Sequence, residues 1–134
     1  MSADELTAFF RREFPLIAPA GFRVDAVDPT GAVVVLDAGP EHLRPGGTLS
    51  GPTLMAMVDS AMWAALVGRL GMRAVLAYTS NLDIHFLSRP GGLRIVVTAR
   101  LLRVGGRQAV GVVDVVDGDG AAVAHATVTY GLPA

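Results

Sequence analysis

Between Arg44 and Arg69 run 24 residues that carry a single charge, Asp59. From Ser60 to Gly68 every residue is apolar or small. Such a stretch reads as a helix built for burial, and a chain that holds one needs a broad apolar surface to lay against it. An unpaired carboxylate in those surroundings costs several kcal/mol or takes up a proton. Asp59 is therefore the first candidate for chemistry, since perturbed carboxylates mark functional sites. An Asp facing water, or one paired with a distant Arg, is the plainer alternative.

The helix has a legible start. Gly51 suits the cap, and Pro52 suits the first helical position, where its missing N–H removes no bond. About five turns bring the helix to Gly68 or Gly71, so residues 51-70 are the expected central helix. Upstream, Ser2-Ala-Asp-Glu5 fits a capping box, and Leu6, Phe9 and Phe10 give one apolar face before Pro15, a short helix within 1-15. Phe22 to Asp28 and Ala32 to Leu36 flank the turn Asp28-Pro-Thr-Gly31, and Pro40 to Gly51 reads as a loop. Downstream come four strand-like segments: Val75 to Leu87, Leu93 to Val104, Gln108 to Val116 and Ala121 to Tyr130. Turn chemistry separates them at Arg89-Pro-Gly-Gly92, Gly105-Gly106 and Asp117-Gly-Asp-Gly120. No helices alternate with these late strands, so the sheet is expected to be antiparallel. The reading is α+β, one domain over 1-134, with a long helix packed on one sheet of about six strands.

Composition narrows the function. The chain is 51% hydrophobic and 17% charged, against a usual charged share of about 25%. The surplus apolar surface points to an oligomer interface. A net charge of −1, no basic block and eight aromatics give no footprint for nucleic acid. No cysteine is present, which removes disulfides, thiolate metal sites and a Cys nucleophile. No run of roughly 18 uncharged apolar residues is found, so no membrane span is expected. Met1 to Phe14 lacks a signal peptide's apolar core, and the cytoplasm is the expected compartment.

Other motifs carry less. Asp117-Gly-Asp-Gly120 resembles the start of a calcium loop but lacks the acidic residue at its far end, and reads as a turn. His42, His85 and His125 have no metal-ligand spacing, so no metal is expected; His85 reads as a surface or interface residue. Ser50-Gly51 lacks the GxSxG context of a nucleophile elbow. One pairing survives. Asp59 lies two turns past Pro52, on the same face and roughly 10 Å along the axis. A helix N-terminus offers unpaired amides that can polarise a carbonyl, while a carboxylate acts as base or nucleophile. At that separation the two groups of one helix cannot both reach one carbon, so cooperation requires two subunits.

These residues resemble the hotdog-fold thioesterases of the PaaI-like (phenylacetate-pathway thioesterase) family. Its signature is a His-Gly-Gly entry to the central helix, an Asp seven residues after the second Gly, then an Ala two residues on. Ser50-Gly51-Pro52 stands in the first place and Asp59-Ser60-Ala61 in the second. Asn81-Leu-Asp-Ile-His-Phe-Leu-Ser-Arg-Pro90 resembles the family's strand end, and Arg103-Val-Gly-Gly-Arg107 with Val110 to Asp119 its following hairpin. Together these matches span about residues 40 to 132. The family's His is Ser50 here, its Asn falls near Gly46, and Pro52 removes one candidate amide.

The resemblance implies a hotdog fold and an acyl-CoA thioesterase working as a homodimer or homotetramer, with coenzyme A part of the substrate and no separate cofactor. It makes Asp59 the catalytic carboxylate, as nucleophile or base, and Gly51 the residue whose amide polarises the thioester carbonyl. Ser50 stands at the mouth of the helix, and Thr79 falls where some members carry a positioning hydroxyl. Arg89 and Arg107 lie where basic residues meet the phosphates of coenzyme A. Met55, Met57, Met62 and Trp63 suit an adaptable acyl pocket, and equally an ordinary core. A catalytically weak module that binds acyl-CoA or another acyl ligand is the alternative; a hotdog hydratase would want a His arrangement this chain lacks.

Overall fold

In the computed structural model, which describes residues 1–15, 18 and 21–133, the apolar stretch is one 20-residue helix, α2 (Gly51–Leu70). Every residue from Ser60 to Val67 is buried, more than two turns without a face to water. A helix apolar all round belongs inside a protein. By length and composition alone, Gly51–Leu76 would suffice to cross a membrane. It is not an uncharged run, since it carries Asp59, Arg69 and Arg73. In this structure 61% of its most apolar 18 residues is buried within the protein, as in a core helix.

The surface that covers α2 is a six-stranded antiparallel sheet. Its strands are β1 (Phe22–Asp28), β2 (Gly31–Asp37), β5 (Tyr78–Phe86), β6 (Arg94–Val104), β7 (Gln108–Asp117) and β8 (Ala122–Gly131). Their order in space is β1-β2-β6-β7-β8-β5. Inward residues alternate as a half-buried sheet requires, for example Ile95, Val97 and Ala99 on β6 and Ala109, Val113 and Val115 on β7. α2 packs over β2 and β6 in mid-sheet. Contact with β7 is close at Gly111, where a Cβ would stand 2.7 Å from Met62 Sδ. A long central helix wrapped by one antiparallel sheet is the hotdog fold.

Helix α1 (Ala3–Glu13) caps one end of this core. Its capping box forms as expected: Ser2 Oγ accepts from the Glu5 N–H at 3.2 Å, and Glu5 Oε1 accepts from the Ser2 N–H at 3.0 Å. Leu6, Phe9 and Phe10 are buried, and Thr7 Oγ1 accepts from the Val24 N–H at 2.8 Å, tying α1 to β1. The helix stops at Glu13 because Phe14, preceding a proline, leaves the helical region (φ −138°, ψ 63°).

Two segments differ from their expected form. Pro40 to Gly51 is not simply a loop: a 3-10 turn (Pro40–His42) leads into a small hairpin of β3 (Leu43–Arg44) and β4 (Thr48–Leu49). Gly46 and Gly47 turn that hairpin at φ +101° and +77°, open only to glycine at low cost. The strand expected from Val75 begins at Tyr78, because Gly71–Leu76 forms a 3-10 turn. The Ala74 carbonyl accepts there from Trp63 Nε1 at 2.9 Å, which pins the turn to α2.

Candidate active site

The start of α2 is organised by Ser50, not by Gly51. Ser50 is the N-cap, Gly51 the first helical residue and Pro52 the second, each one place from its expected role. Ser50 Oγ accepts from the Thr53 N–H at 3.2 Å and lies 2.8 Å from Thr53 Oγ1. The Ser50 carbonyl accepts from the Leu54 N–H at 3.1 Å. Pro52 has no N–H. Of the first four helical residues, only Gly51 therefore keeps an amide without an acceptor among the described residues. His42 holds this end from behind: its carbonyl accepts from the Ser50 N–H at 3.1 Å and from Thr53 Oγ1 at 3.3 Å. The buried His42 ring accepts from the Gly39 N–H through Nδ1 at 2.9 Å, which leaves its proton on Nε2.

An open cleft of about 360 Å³ adjoins the Gly51 end, walled by Leu54, Phe86 and Pro90 with Arg44 and Arg89 at its rim. The Phe86 ring stands over Gly51, 3.6 Å from where a Cβ would be.

Asp59 lies in a second cleft of about 210 Å³, with Trp63, Phe14 and Tyr78 as apolar walls. It is neither unpaired nor deeply buried, which corrects the expectation; it is half-buried and accepts two hydroxyl bonds. Thr79 Oγ1 and Tyr130 Oη each donate to Asp59 Oδ1 at 2.7 Å, an ordinary length for a hydroxyl donor. Tyr130 also donates to the Asp59 carbonyl at 3.2 Å. Burial, and then the charge of Asp59, push the Tyr130 phenol far above its ordinary range, so it stays a donor.

A bulge creates this arrangement. Leu82 pairs with Val128 and Ile84 with Ala126, all facing the core side. Strict alternation would put Ser80 beside Tyr130 on that face. The register shifts between Thr79 and Asn81, so that Thr79 pairs with Tyr130. The extra residue re-aims the hydroxyl, as bulges near sites do. Ser80 turns instead to the Thr129 carbonyl, 3.2 Å away.

The remaining expected residues separate. Trp63 lines the Asp59 cleft, stacked on Phe10 at 4.9 Å and edge-on to Phe14 at 4.5 Å. Met62 is fully buried against Gly111, as is Met57 in the core, so neither is a pocket residue in this chain. Met55 is exposed on the helix flank. Arg89 borders the Gly51 cleft, whereas Arg107 sits in the β6–β7 turn. The loop carrying Arg89 is tied to Asp117 at the far end of β7 through the Gly91 N–H, 2.9 Å from Oδ2. Ten strand residues separate Arg107 from that end, on the order of 30 Å, so the two arginines of one chain do not converge. His85 is exposed, as expected of a surface or interface residue, and pairs across the sheet with His125. Asp117 to Gly120 is a hairpin turn, with Asp117 Oδ1 accepting from the Asp119 and Ala121 N–H groups. Tyr130 and Arg44 were not singled out from sequence; a tyrosine closing an apolar strand and an arginine in a glycine-rich loop carry no local signal.

A protein-family model described as Thioesterase superfamily matches residues 46–124, more than half of the chain. The chain belongs to the thioesterase superfamily. A solved thioesterase candidate from a Silicibacter species is 35% identical over 100% of this chain and 93% of its own, with a TM-score of 0.88. A variant of the phenylacetic acid degradation protein PaaI from Thermus thermophilus is 28% identical, covers 89% of this chain and 99% of its own, and has a TM-score of 0.78. Zebrafish thioesterase superfamily member 2 is 20% identical over 99% of both chains at a TM-score of 0.87, and shows the fold alone. No curated protein matches the sequence. The superfamily match spans both the Gly51 helix start and Asp59, and PaaI is among the solved structures that the chain resembles. Membership supports hydrolase activity of the thioesterase type.

Proposed function

We propose that the protein hydrolyses acyl-CoA thioesters at a site shared between two copies of the chain. Asp59 of one copy acts as base or nucleophile, and the Gly51 amide of the other polarises the carbonyl. The observation that carries this reading is the division of the two groups between separate clefts of one chain. Eight residues of helix set them roughly 12 Å apart, too far to serve one carbon. Edge strand β5 is the natural seam. Among the described residues it ends the sheet with no partner strand on its outer side, and Tyr78, Phe86 and Leu87 are more than half exposed on and beside it. A second copy there would bring its helix start toward Asp59 and cover apolar surface.

In the base route, Asp59 takes a proton from water as the oxygen attacks the thioester carbon. The developing oxyanion is met by the Gly51 N–H; collapse breaks the C–S bond, and the thiolate of coenzyme A leaves and is protonated. In the nucleophile route, Asp59 itself attacks, thiolate leaves, and water then cleaves the mixed anhydride. Both end in free acid and free thiol, with no further cofactor. Arg89 and Arg44 flank the cleft through which a phosphate-bearing carrier would pass, and Trp63 and Phe14 line the side facing the acyl group. The same reading places the protein in the cytoplasm.

A second reading, an acyl-ligand binder with little turnover, is favoured by one observation: the Ser50 hydroxyl, where the resembled family has His, is spent on capping the helix. Thiol release from a panel of short, medium, long and aromatic acyl-CoA thioesters separates the two. Turnover lost in Asp59→Asn supports hydrolysis; saturable binding without thiol release supports the binder.

A further inference from the structure

Both hydroxyls near Asp59 reach the same oxygen. Thr79 and Tyr130 converge on Oδ1, and among the described residues no donor reaches Oδ2. A carboxylate turns easily about its last torsion, which is broad and two-fold, so left alone its oxygens exchange. Two donors fixed on paired strands oppose that exchange. Their positions are rigidly coupled, because Thr79 and Tyr130 are register partners on β5 and β8. Tyr130 is 3% exposed, and its bond to the Asp59 carbonyl ties the ring to the helix backbone as well as to the side chain.

We propose that Tyr130 is a positioning residue which, with Thr79, locks the Asp59 carboxylate so that Oδ2 alone faces the reacting group. Oδ2 is then the oxygen that takes the proton from water or attacks the thioester carbon, while Oδ1 stays hydrogen-bonded throughout. The inference rests on the reading of Asp59 as the catalytic carboxylate. Tyr130 touches no substrate in this scheme; it acts through Asp59. The β5 bulge is part of the device, because it sets Thr79, and not Ser80, opposite Tyr130.

The test compares Asp59→Asn, Tyr130→Phe, Thr79→Val and the Tyr130→Phe/Thr79→Val double variant in thiol release from the best acyl-CoA of the panel. A hydrogen bond to a charged group predicts a fall in kcat of roughly ten- to a hundredfold for Tyr130→Phe, with KM nearly unchanged. The double variant should lose more than the product of the two single losses, since each single variant keeps one hydroxyl that still holds Oδ1 in part. A Tyr130→Phe protein with wild-type kcat, or with raised KM and unchanged kcat, overturns the positioning role while an inactive Asp59→Asn leaves the thioesterase reading standing. An active Asp59→Asn overturns that reading itself. Melting curves check folding. If Tyr130→Phe does not fold, a crystal structure of the wild-type protein with a non-hydrolysable acyl-CoA analogue decides: Oδ2 nearest the carbonyl carbon supports the proposal, and Oδ1 nearest it overturns it.

Discussion

The start of α2 and its middle place chemistry on one rod by opposite means. At the start, the free donor is a backbone N–H, left over after the neighbouring amides have been satisfied by Ser50 or removed by Pro52. Its supports, His42 and Ser50, act on backbone geometry. In the middle, the working group is a side chain, and its supports are two side chains from strands 20 and 71 residues away. A backbone donor survives most changes of side chain, provided the helix still begins in the same place. A side-chain base survives none, and it depends on partners that only the complete sheet brings together.

The comparison is most exposed at Asp59. Asp59→Asn keeps the size and one acceptor oxygen but cannot take a proton or attack. Thiol release should fall about 10²–10⁴-fold, the usual cost of losing a general base, with melting temperature little changed. A variant that hydrolyses thioesters at the wild-type rate would break the assignment of chemistry to the helix middle.

At the helix start the decisive change is to the amide, not the side chain. Gly51→Pro removes the N–H while keeping a residue that the first helical turn accepts. Loss of one oxyanion donor costs about 10²–10³-fold in kcat. Gly51→Ala retains the amide, and its Cβ would meet the Phe86 ring at 3.6 Å, an ordinary contact; its activity should stay near wild type. Equal damage from both variants would mean that packing, not the amide, matters there. Mixing Asp59→Asn with Gly51→Pro sharpens the point. In a symmetric dimer with sites shared across the interface, random exchange leaves about a quarter of all sites intact. Recovery toward that level supports shared sites, and none after demonstrated exchange argues for sites within one chain.

The two regions were also unequally legible. The long buried helix, its start near Gly51, the antiparallel strands and the α1 capping box follow from local rules of burial, capping and turns, and all appear in the structure. Asp59 announced itself as a lone charge. Its surroundings did not: burial was overestimated because a run of apolar neighbours in sequence says nothing of a cleft opened by strand β5 and the 3-10 turn before it. Thr79 came from family resemblance, since alternation from Leu82 and Ile84 points to Ser80, and only the bulge reverses that. Tyr130 had no local mark at all. Met62 failed as a pocket residue because Gly111, 49 positions away, makes the room that buries it.

Ser50 tests the helix start more gently. Its hydroxyl caps the Thr53 amide, and such a cap is worth about 1 kcal/mol. Ser50→Ala should therefore lower the melting temperature by a few degrees and the rate by at most roughly tenfold, a 1.4 kcal/mol change. No acyl adduct should be found on Ser50 by mass spectrometry during turnover. Trapping one would make Ser50 the nucleophile and move the chemistry from the middle of the helix to its start.

The smallest expected effect concerns the loop that carries Arg89. Asp117 is buried, and bonds from the Gly91 N–H first, then from the Ala121 and Asp119 N–H groups, hold its carboxyl below the usual carboxylate range. A depressed carboxylate contributes stability that is present above its unfolded pKa and is lost as pH falls through the folded one. Asp117→Asn keeps an acceptor but removes the charge. Its melting temperature should lie below wild type at neutral pH, and the gap should close as pH drops below the ordinary aspartate range. Parallel melting curves down to acid would show that Asp117 does not contribute this linkage. Because the Gly91 bond anchors Arg89 beside the Gly51 cleft and not beside Asp59, the same variant should raise KM for acyl-CoA while leaving kcat almost untouched. A fall in kcat instead would mean that the loop acts on the reacting groups and not on substrate binding.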